Sequence, residues 1–343
     1  MVYTSWRYRA RIDVVNPTSV PDYQINVVVP YRVHMNSDFS DIRFSDTNGN
    51  ELSYWIESKV DSSYANVWFK TSSISVWTNS TYYLYYGNSS PVSASNGTAT
   101  FVFFDNFNNG NYNNWTVAAG TWSASNYTLK ITTDTAWAAI SQNTIKPQIY
   151  ESKFLIPDTA GADLTFGASD AAGNANGYYI KITRAGNFNF VRLQAGVAWT
   201  TLITNTWTWD ANWHTVKLLR NDTGNWKIYL DNVEKGNITD TTYTGLTYYN
   251  IRTADPAKTG TAVDDIRIRK YISPEPTTNV FETNINPFHR RYRYPLSIYT
   301  KTYFIDSLFK KLNTDKNYII DILLKNSNVD KNYIIDTILE FVI

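Results

Sequence analysis

Between residues 6 and 271 the chain shows short runs of β-branched and aromatic residues separated by turn-forming residues. Asn-Gly at 48–49 and Asp-Asn at 231–232 each separate two such runs, which predicts tight hairpin turns. No stretch before residue 300 repeats its apolar residues at the helical period of about 3.6. The pattern predicts an all-β chain with two β-sandwich, jelly-roll-like domains and a short C-terminal repeat segment.

Composition restricts the partners that this chain can have. Lys plus Arg total 31 and Asp plus Glu total 30, so a net charge of +1 predicts no nucleic-acid partner. The chain has no cysteine, which excludes disulfides, thiolate metal sites and cysteine nucleophiles. The first residues lack the apolar stretch of a signal peptide, and no run approaches the ~20 apolar residues of a membrane span. We therefore expect no membrane insertion and an extracellular, cell-surface or virion location. Both a piece of a secreted protein and a virion component fit this pattern.

The first hundred residues carry a family resemblance. WRYRARIDVVN, SDIRFSD, YWIES, VWFK and YLYYGN follow one another at strand spacing over residues 4–103. Together they resemble domain of unknown function 2341, a small all-β domain of archaeal and bacterial surface proteins. The resemblance implies a β-sandwich over 1–103, a family without an agreed activity that usually accompanies adhesive or sugar-binding modules. By their spacing, Trp6, Phe44, Trp55 and Trp68 are predicted to fill the core between facing sheets.

The next segment, residues 104–272, resembles a concanavalin A-like or laminin G-like jelly roll. FFDNF opens it, GYYIKI and WHTVKLLRNDTGNWKIYLDNV follow, and AVDDIRIRKYISPEPT closes it. The resemblance implies two antiparallel sheets and a Ca²⁺ that ties the first strand to the last. Asp105 and either Asp264 or Asp265 are the matching positions, and their carboxylates suit a hard cation. The alternative is that these carboxylates accept hydrogen bonds at a sheet edge, and no other cofactor is expected.

No catalytic constellation is visible, so we expect a protein that is not an enzyme. Jelly-roll glycosidases carry alternating acidic residues on one strand, and this chain has no such run. Glu151 stands alone, Glu234 lies in a turn, and the adjacent Asp264 and Asp265 would point to opposite faces of a regular strand. His214 is expected to be a half-buried strand residue. A glycoside hydrolase on a jelly-roll fold is kept as an alternative.

A short tryptophan-rich stretch provides candidate ligand-binding side chains. VAWTTLITNTWTWDANW contains Trp199, Trp207, Trp209 and Trp213. Trp207 and Trp209 would share a strand face at a period of two, so the stretch predicts an exposed pair. Exposed aromatic rings with amide and hydroxyl groups are typical of sugar recognition. The alternative is that one or two of these rings fill the core.

The C-terminus is a polar linker over 273–299 followed by a fifteen-residue repeat over 300–343. NYIID occurs at 317–321 and again at 332–336, with a weaker copy, TYFID, at 302–306. Three such short units cannot build a core alone, so they predict self-association. The repeat also resembles archaeal and phage-type fibre repeats, which implies a homotrimer. The predicted contact residues are Tyr303, Tyr318, Tyr333, Ile320, Ile335 and Leu323.

These observations favour a non-enzymatic surface or virion protein of the fibre or adhesin type. The jelly roll would recognise a carbohydrate or host surface, and the tail would multimerise the chain. A structural filament or capsid-associated subunit without a ligand is the other alternative.

Overall fold

A computed structural model describes residues 4–15, 19–74, 79–132, 137–141, 148–157, 163–170, 176–195, 198–253 and 260–285. Within these ranges the regular secondary structure is antiparallel β-strand apart from one four-residue helix, which confirms the all-β prediction. No helix in these ranges is long and apolar enough to cross a membrane.

The strands fall into two groups along the chain, with one more strand after them. The first group is β1 Tyr8–Val15, β2 Val20–Pro21, β3 Gln24–Pro30, β4 Arg43–Ser45, β5 Glu51–Leu52, β6 Tyr54–Val60, β7 Tyr64–Lys70, β8 Ser73–Ile74 and β9 Asn79–Tyr86, followed by helix α1 Gly97–Thr100. The second group is β10 Phe103–Asp105, β11 Thr116–Ala119, β12 Trp122–Ser123, β13 Leu129–Ile131, β14 Trp137–Ser141, β15 Gln148–Leu155, β16 Asp163–Ser169, β17 Gly177–Thr183, β18 Phe188–Gln194, β19 Ala198–Ile203, β20 His214–Arg220, β21 Asn225–Leu230, β22 Val233–Thr239, β23 Tyr248–Thr253 and β24 Ala262–Lys270. The final described strand is β25 Thr277–Ile285.

Alternation of apolar and polar residues explains how the first sandwich closes. In β3, Ile25, Val27 and Val29 are buried while the residues between them are exposed. These side chains meet those of the sheet β25-β1-β9-β4-β5, so that the three-stranded sheet β3-β7-β6 and the five-stranded sheet share one core. Burial of one face of each sheet fixes the register of its strands.

The second sandwich is larger. An eight-stranded sheet contains β12-β13-β24-β15-β20-β21-β22, with β10 paired to β24, and a seven-stranded sheet has the order β11-β14-β23-β16-β17-β18-β19. Their inner faces meet in a single core, in which the alternating Trp226, Ile228 and Leu230 of β21 take part. Both predicted hairpin turns form. Gly49 has a φ of 82° in the β4–β5 turn, and Asp231 and Asn232 have φ values of 49° and 65° in the β21–β22 turn.

The predicted linker over 273–299 was wrong for its first half. Residues 277–285 form β25, which pairs along β1 from Val15 to Tyr8 and completes the five-stranded sheet of the first sandwich. The chain therefore returns to its first domain after finishing the second. The proline-rich stretch before this strand misled the prediction, because the partner strand lies more than 260 residues earlier and local sequence carries no sign of it. Residues 286–299 lie outside the described ranges.

Aromatic rings join the two sandwiches. Trp55 and Trp68 are buried, as predicted, but they lie on the outer side of β6 and β7 rather than in the sandwich core. There they pack against Phe101 and Phe104, with ring centroids of Trp55 and Phe104 4.9 Å apart. We call these four residues the aromatic junction. It buries the outer face of the three-stranded sheet against the start of the second sandwich.

A buried ion network lies beside the aromatic junction. Arg267 of β24 pairs with Glu151 of β15 and with Glu57 of β6, each at 2.6 Å, so one guanidinium bridges the two sandwiches. Arg269 also contacts Glu151, at 3.2 Å, and pairs with Glu275. Burial opposes the charge of Glu151, but Arg267 and Arg269 outweigh it and lower the pKa of this carboxyl to about 2. The network is thus charged at neutral pH, and it fixes β6 against β24.

Candidate functional site

The outer face of the seven-stranded sheet carries polar and apolar side chains in three cross-strand rows, and more than half of these residues are buried. The inward residues of β16 and β17, such as Phe166 and Ile180, belong to the core, so the alternate residues point outward. The rows are Arg252–Thr165–Lys181–Asn189, then Asn250–Gly167–Tyr179–Val191–Thr201, and last Tyr248–Ser169–Gly177–Leu193–Trp199. We call these residues the outer face. It combines amides, hydroxyls, two cations and aromatic rings within a few strands.

Tyr179 forms the centre of this face because Gly167 leaves room for its ring. A Cβ on Gly167 would lie 2.4 Å from the Tyr179 ring and 2.1 Å from the carbonyl oxygen of Tyr178. Tyr179 is only 1% exposed, and its hydroxyl lies beside the side chains of Ser169 and Asn250 without a well-aligned hydrogen bond to either. Burial raises the pKa of this hydroxyl to about 12, so it is a neutral donor at every physiological pH. Buried hydroxyl groups normally have such polar neighbours, and Ser169 and Asn250 provide them here.

The floor around Tyr179 is polar and ordered. The side-chain amide of Asn250 donates to the hydroxyl of Ser169 in the buried floor. The hydroxyl of Thr165 donates to the carbonyl oxygen of Arg252 at 3.2 Å. These contacts hold the floor in place before any ligand arrives, which reduces the ordering cost of binding.

Trp199 stands at the rim of the face. It is 36% exposed, its ring packs edge-on against Tyr179 at 5.7 Å, and the guanidinium of Arg252 lies 5.5 Å from its centroid. Lys181 and Asn189 are half-buried two rows away from it, beyond the row that contains Tyr179. An aromatic face beside amides and hydroxyls can stack on a sugar ring and hydrogen-bond its hydroxyl groups.

The other predicted tryptophans do not form an exposed pair, and that prediction is wrong. Residues 207–210 are not in a strand, and Trp207 is 8% exposed in the core, where its indole N–H donates to the carbonyl of Thr183. Trp209 packs against the same core and donates to the carbonyl of Ile156. Trp213 is 42% exposed, but it precedes β20 of the opposite sheet. Of the four, only Trp199 therefore belongs to the outer face.

The three predicted calcium ligands are engaged by protein groups. Asp105 accepts the backbone N–H of Phe107 and the indole N–H of Trp115, both at 2.9 Å, as the alternative interpretation expects. Lys153 lies 2.5 Å from Asp265, whose φ of 45° places it in a bulge of β24. Burial, together with the charge of Asp265, raises the pKa of Asp264 to about 7. In the described ranges, no three acidic or histidine side chains are arranged to hold a metal ion.

His214 has more partners than its sequence indicated. Its Nδ1 lies 2.7 Å from Asp231 in the β21–β22 turn, and its Nε2 lies 2.8 Å from Asp210. Partial burial opposes the charge on the imidazole, but the hydrogen bonds to the two carboxylates outweigh it and raise the pKa of His214. Asp210 and His214 are four residues apart and do not lie in a helix, so their spacing does not indicate a contact. The sequence alone therefore did not predict the group formed by His214, Asp210 and Asp231.

Part of the chain matches a known family. The domain of unknown function DUF2341 matches residues 38–124, which is a quarter of the chain and covers most of the first sandwich after β3 together with the start of the second. The match agrees with the resemblance seen in the sequence over residues 38–103. No curated protein matches this chain.

Several solved structures are similar to nearly half of the chain. One is the carbohydrate binding module CBM66 from Bacillus subtilis, 19% identical, with 46% of this chain and 97% of that chain covered and a TM-score of 0.39. Another is the Emp46p carbohydrate recognition domain in its metal-free form, 11% identical, covering 46% and 89%, with a TM-score of 0.38. A putative glycosyl hydrolase from Parabacteroides distasonis is 10% identical, covering 48% and 92%, with a TM-score of 0.36. These values are too low to transfer a ligand or an activity.

Proposed function

We propose that this chain is a non-enzymatic carbohydrate-recognition protein and that the outer face of the seven-stranded sheet is its binding surface. The exposed ring of Trp199, which packs edge-on against Tyr179 and has the guanidinium of Arg252 beside it, is the observation that carries the proposal. Thr201 in the adjacent row, and Lys181 and Asn189 one row further along, add hydrogen-bonding groups to the same face.

Glycan-array binding by the intact chain tests this function. We expect Trp199→Ala to weaken binding at least about tenfold, because it removes the stacking surface. Trp213→Ala is the matched control, since Trp213 is comparably exposed on the other sheet and should bind like the parent chain. Failure of the intact chain to bind any glycan, or an equal loss in both variants, would contradict the proposal.

We further propose that the protein works at a cell or virion surface as a multimer assembled through residues 300–343. The repeat lies outside the described ranges, as do its proposed contact residues Tyr303, Tyr318, Tyr333, Ile320, Ile335 and Leu323. Several weak sugar sites on one assembly would gain avidity through their effective concentration. A homotrimer is the assembly that we expect.

A glycoside hydrolase is the second candidate, and Asp264 is the observation that favours it. A carboxyl with a pKa of about 7 can act as a general acid. Its neighbours argue against this role, because Lys153 pairs with Asp265, and both oxygens of Asp105 accept hydrogen bonds. We expect no release of reducing sugar from any glycan that the chain binds. Turnover that disappears in Asp264→Asn would reverse this assignment.

A further inference from the structure

A cavity of about 330 Å³ lies where the two sandwiches meet, away from the outer face of the seven-stranded sheet. Trp55 of β6 and Phe104 of β10 contribute its aromatic walls, and both belong to the aromatic junction. Its volume lies within the range of small-molecule sites, about 300–1,000 Å³, and exceeds that of a single water roughly tenfold. No charged side chain lines it.

Trp55 differs from the other buried tryptophans in the hydrogen bonding of its indole N–H. The buried Trp68, Trp115, Trp122, Trp207 and Trp226 all donate their indole N–H to a protein oxygen. Trp55 is 7% exposed, and its indole N–H donates to no residue in the ranges that the structure describes; because it is not among the fully buried unpaired atoms, it is accessible from the cavity. A buried indole normally finds a hydrogen-bond acceptor, so a ligand in the cavity would satisfy a donor that the protein leaves open.

Three asparagine side chains add further hydrogen-bonding capacity to the cavity. Asn96 uses its Oδ1 to accept the backbone N–H of Ala99, at 3.0 Å, which leaves its two amide N–H groups for a ligand. Asn106 likewise uses its Oδ1, accepting the backbone N–H of Asn108 at 3.3 Å. The side chain of Asn108 makes no hydrogen bond to another described residue, so both its donor and its acceptor face open space. The cavity therefore offers many donors and few acceptors, all of them neutral.

We propose that this junction cavity binds a neutral, hydroxyl-rich small molecule of monosaccharide size. Hydroxyl groups would accept from the indole of Trp55 and the amides of Asn96 and Asn106, and would donate to the side-chain oxygen of Asn108. An ionic ligand would have no countercharge here, and an apolar ligand would leave the amides without partners. The site is independent of the proposed outer-face function, because the residues that form it belong to the first sandwich and to the start of the second.

The indole N–H signals in a ¹H–¹⁵N spectrum of the intact chain test this site directly. Trp55→Phe assigns the Trp55 signal, and glucose, galactose, mannose and N-acetylglucosamine are then titrated one at a time, with acetate as the charged control. We expect at least one sugar to shift the Trp55 signal saturably while acetate does not. Asn106→Ala should weaken that apparent affinity about fivefold, since it removes one neutral hydrogen bond. The matched control is Asn109→Ala, because Asn109 is exposed, does not line the cavity and accepts only the N–H of Asn111.

Two outcomes would overturn the proposal. One is a Trp55 signal that none of the four sugars shifts saturably. The other is a shift of equal midpoint in the Asn106→Ala, Asn109→Ala and parent chains. If Trp55→Phe fails to fold, sequential assignment of the parent chain identifies the Trp55 signal, and the Asn106→Ala comparison stands unchanged. The same titration of the Trp55 signal in Trp199→Ala distinguishes the two sites. Its midpoint should equal that of the parent chain whether or not the outer face binds glycans.

Discussion

At the residue scale, Gly167 has no side chain, and this leaves room for the ring of Tyr179 from the neighbouring strand. We expect Gly167→Ala to destabilise the chain by about 1–3 kcal/mol, because the new methyl group would overlap backbone as well as the tyrosine ring. Glycan binding should fall with it. Gly245→Ala is the matched control, since nothing lies within 4 Å of a Cβ at that position. Denaturant unfolding of both variants measures the difference, and equal midpoints would show that the ring has another way to pack.

The tryptophans show how far single residues could be predicted. Burial of Trp55 and Trp68 was predicted from strand spacing, but their strands alternate so that Tyr54 and Phe69 enter the core and the tryptophans face the second sandwich. Trp207 is of a residue type that often contacts sugars, but its side chain packs in the core. The side of a sheet that a ring occupies depends on which domain packs against it, and sequence periodicity carries no information about that partner.

At the element scale, His214 connects β20 to the β21–β22 turn, and this contact should depend on pH. The pKa of His214 is raised above its ordinary value of 6.5 in the folded state, so its contribution to stability is complete below about pH 6.5. That contribution is lost as the pH rises through the folded-state pKa. We expect the Tm gap between the parent chain and Asp231→Asn to be largest near pH 5.5 and to narrow toward pH 8.5.

Asp231→Asn is suited to this comparison. Its amide oxygen can still accept the backbone N–H of Thr215, which Asp231 accepts at 2.8 Å, and asparagine tolerates the positive φ of this turn. Thermal scans at closely spaced pH values give the result. A gap that stays constant with pH would mean that the imidazole is not held in its charged form.

Strand β25 determines where the tail can be removed. A chain ending at Pro276 loses the strand that pairs with β1 and exposes an edge of the first sandwich, whereas a chain ending at His289 retains it. We expect the shorter chain to have a Tm at least about 5 °C lower and to aggregate through the open edge. The chain ending at His289 should unfold at the same temperature as the full chain.

The same two chains separate folding from self-association. Light scattering should give a multimer for the full chain and a monomer for the version ending at His289. A monomer in both cases would contradict multimerisation through the repeat, and a multimer in both would place the interface within residues 1–289. The proline-rich linker prediction would have led to the wrong truncation, because strand pairing between distant segments leaves no local signal.

At the scale of the whole molecule, the two sandwiches are joined by more than a covalent link. The backbone N–H of Lys270 donates to the side chain of Gln24 at 3.1 Å, and its ammonium group lies 2.6 Å from the carbonyl of Pro21. Together with the aromatic junction and β25, these contacts place the end of the second sandwich on the first. We therefore expect residues 1–289 to unfold in a single transition, which calorimetry would reveal as equal calorimetric and van't Hoff enthalpies.

The buried ion network should make the contact between the two sandwiches sensitive to acid. Arg267 and Arg269 hold the pKa of Glu151 at about 2, below its ordinary value of 4.5, so its stabilising contribution is complete above about pH 5. The contribution is lost as the pH falls from about 4.5 toward 2. Glu151→Gln leaves two buried guanidinium groups short of a countercharge, which should cost about 3–5 kcal/mol at pH 7.

A matched substitution identifies the buried site as the cause. Glu57→Gln removes the more exposed carboxylate of the same Arg267 and should cost clearly less, because water can solvate that end of the guanidinium. Denaturant unfolding of the parent and both variants between pH 2 and 7 gives the comparison. The deficit of Glu151→Gln should shrink as the pH falls, since the parent chain loses the same charge by protonation. A deficit that is independent of pH would assign the role of Glu151 to packing rather than to its charge.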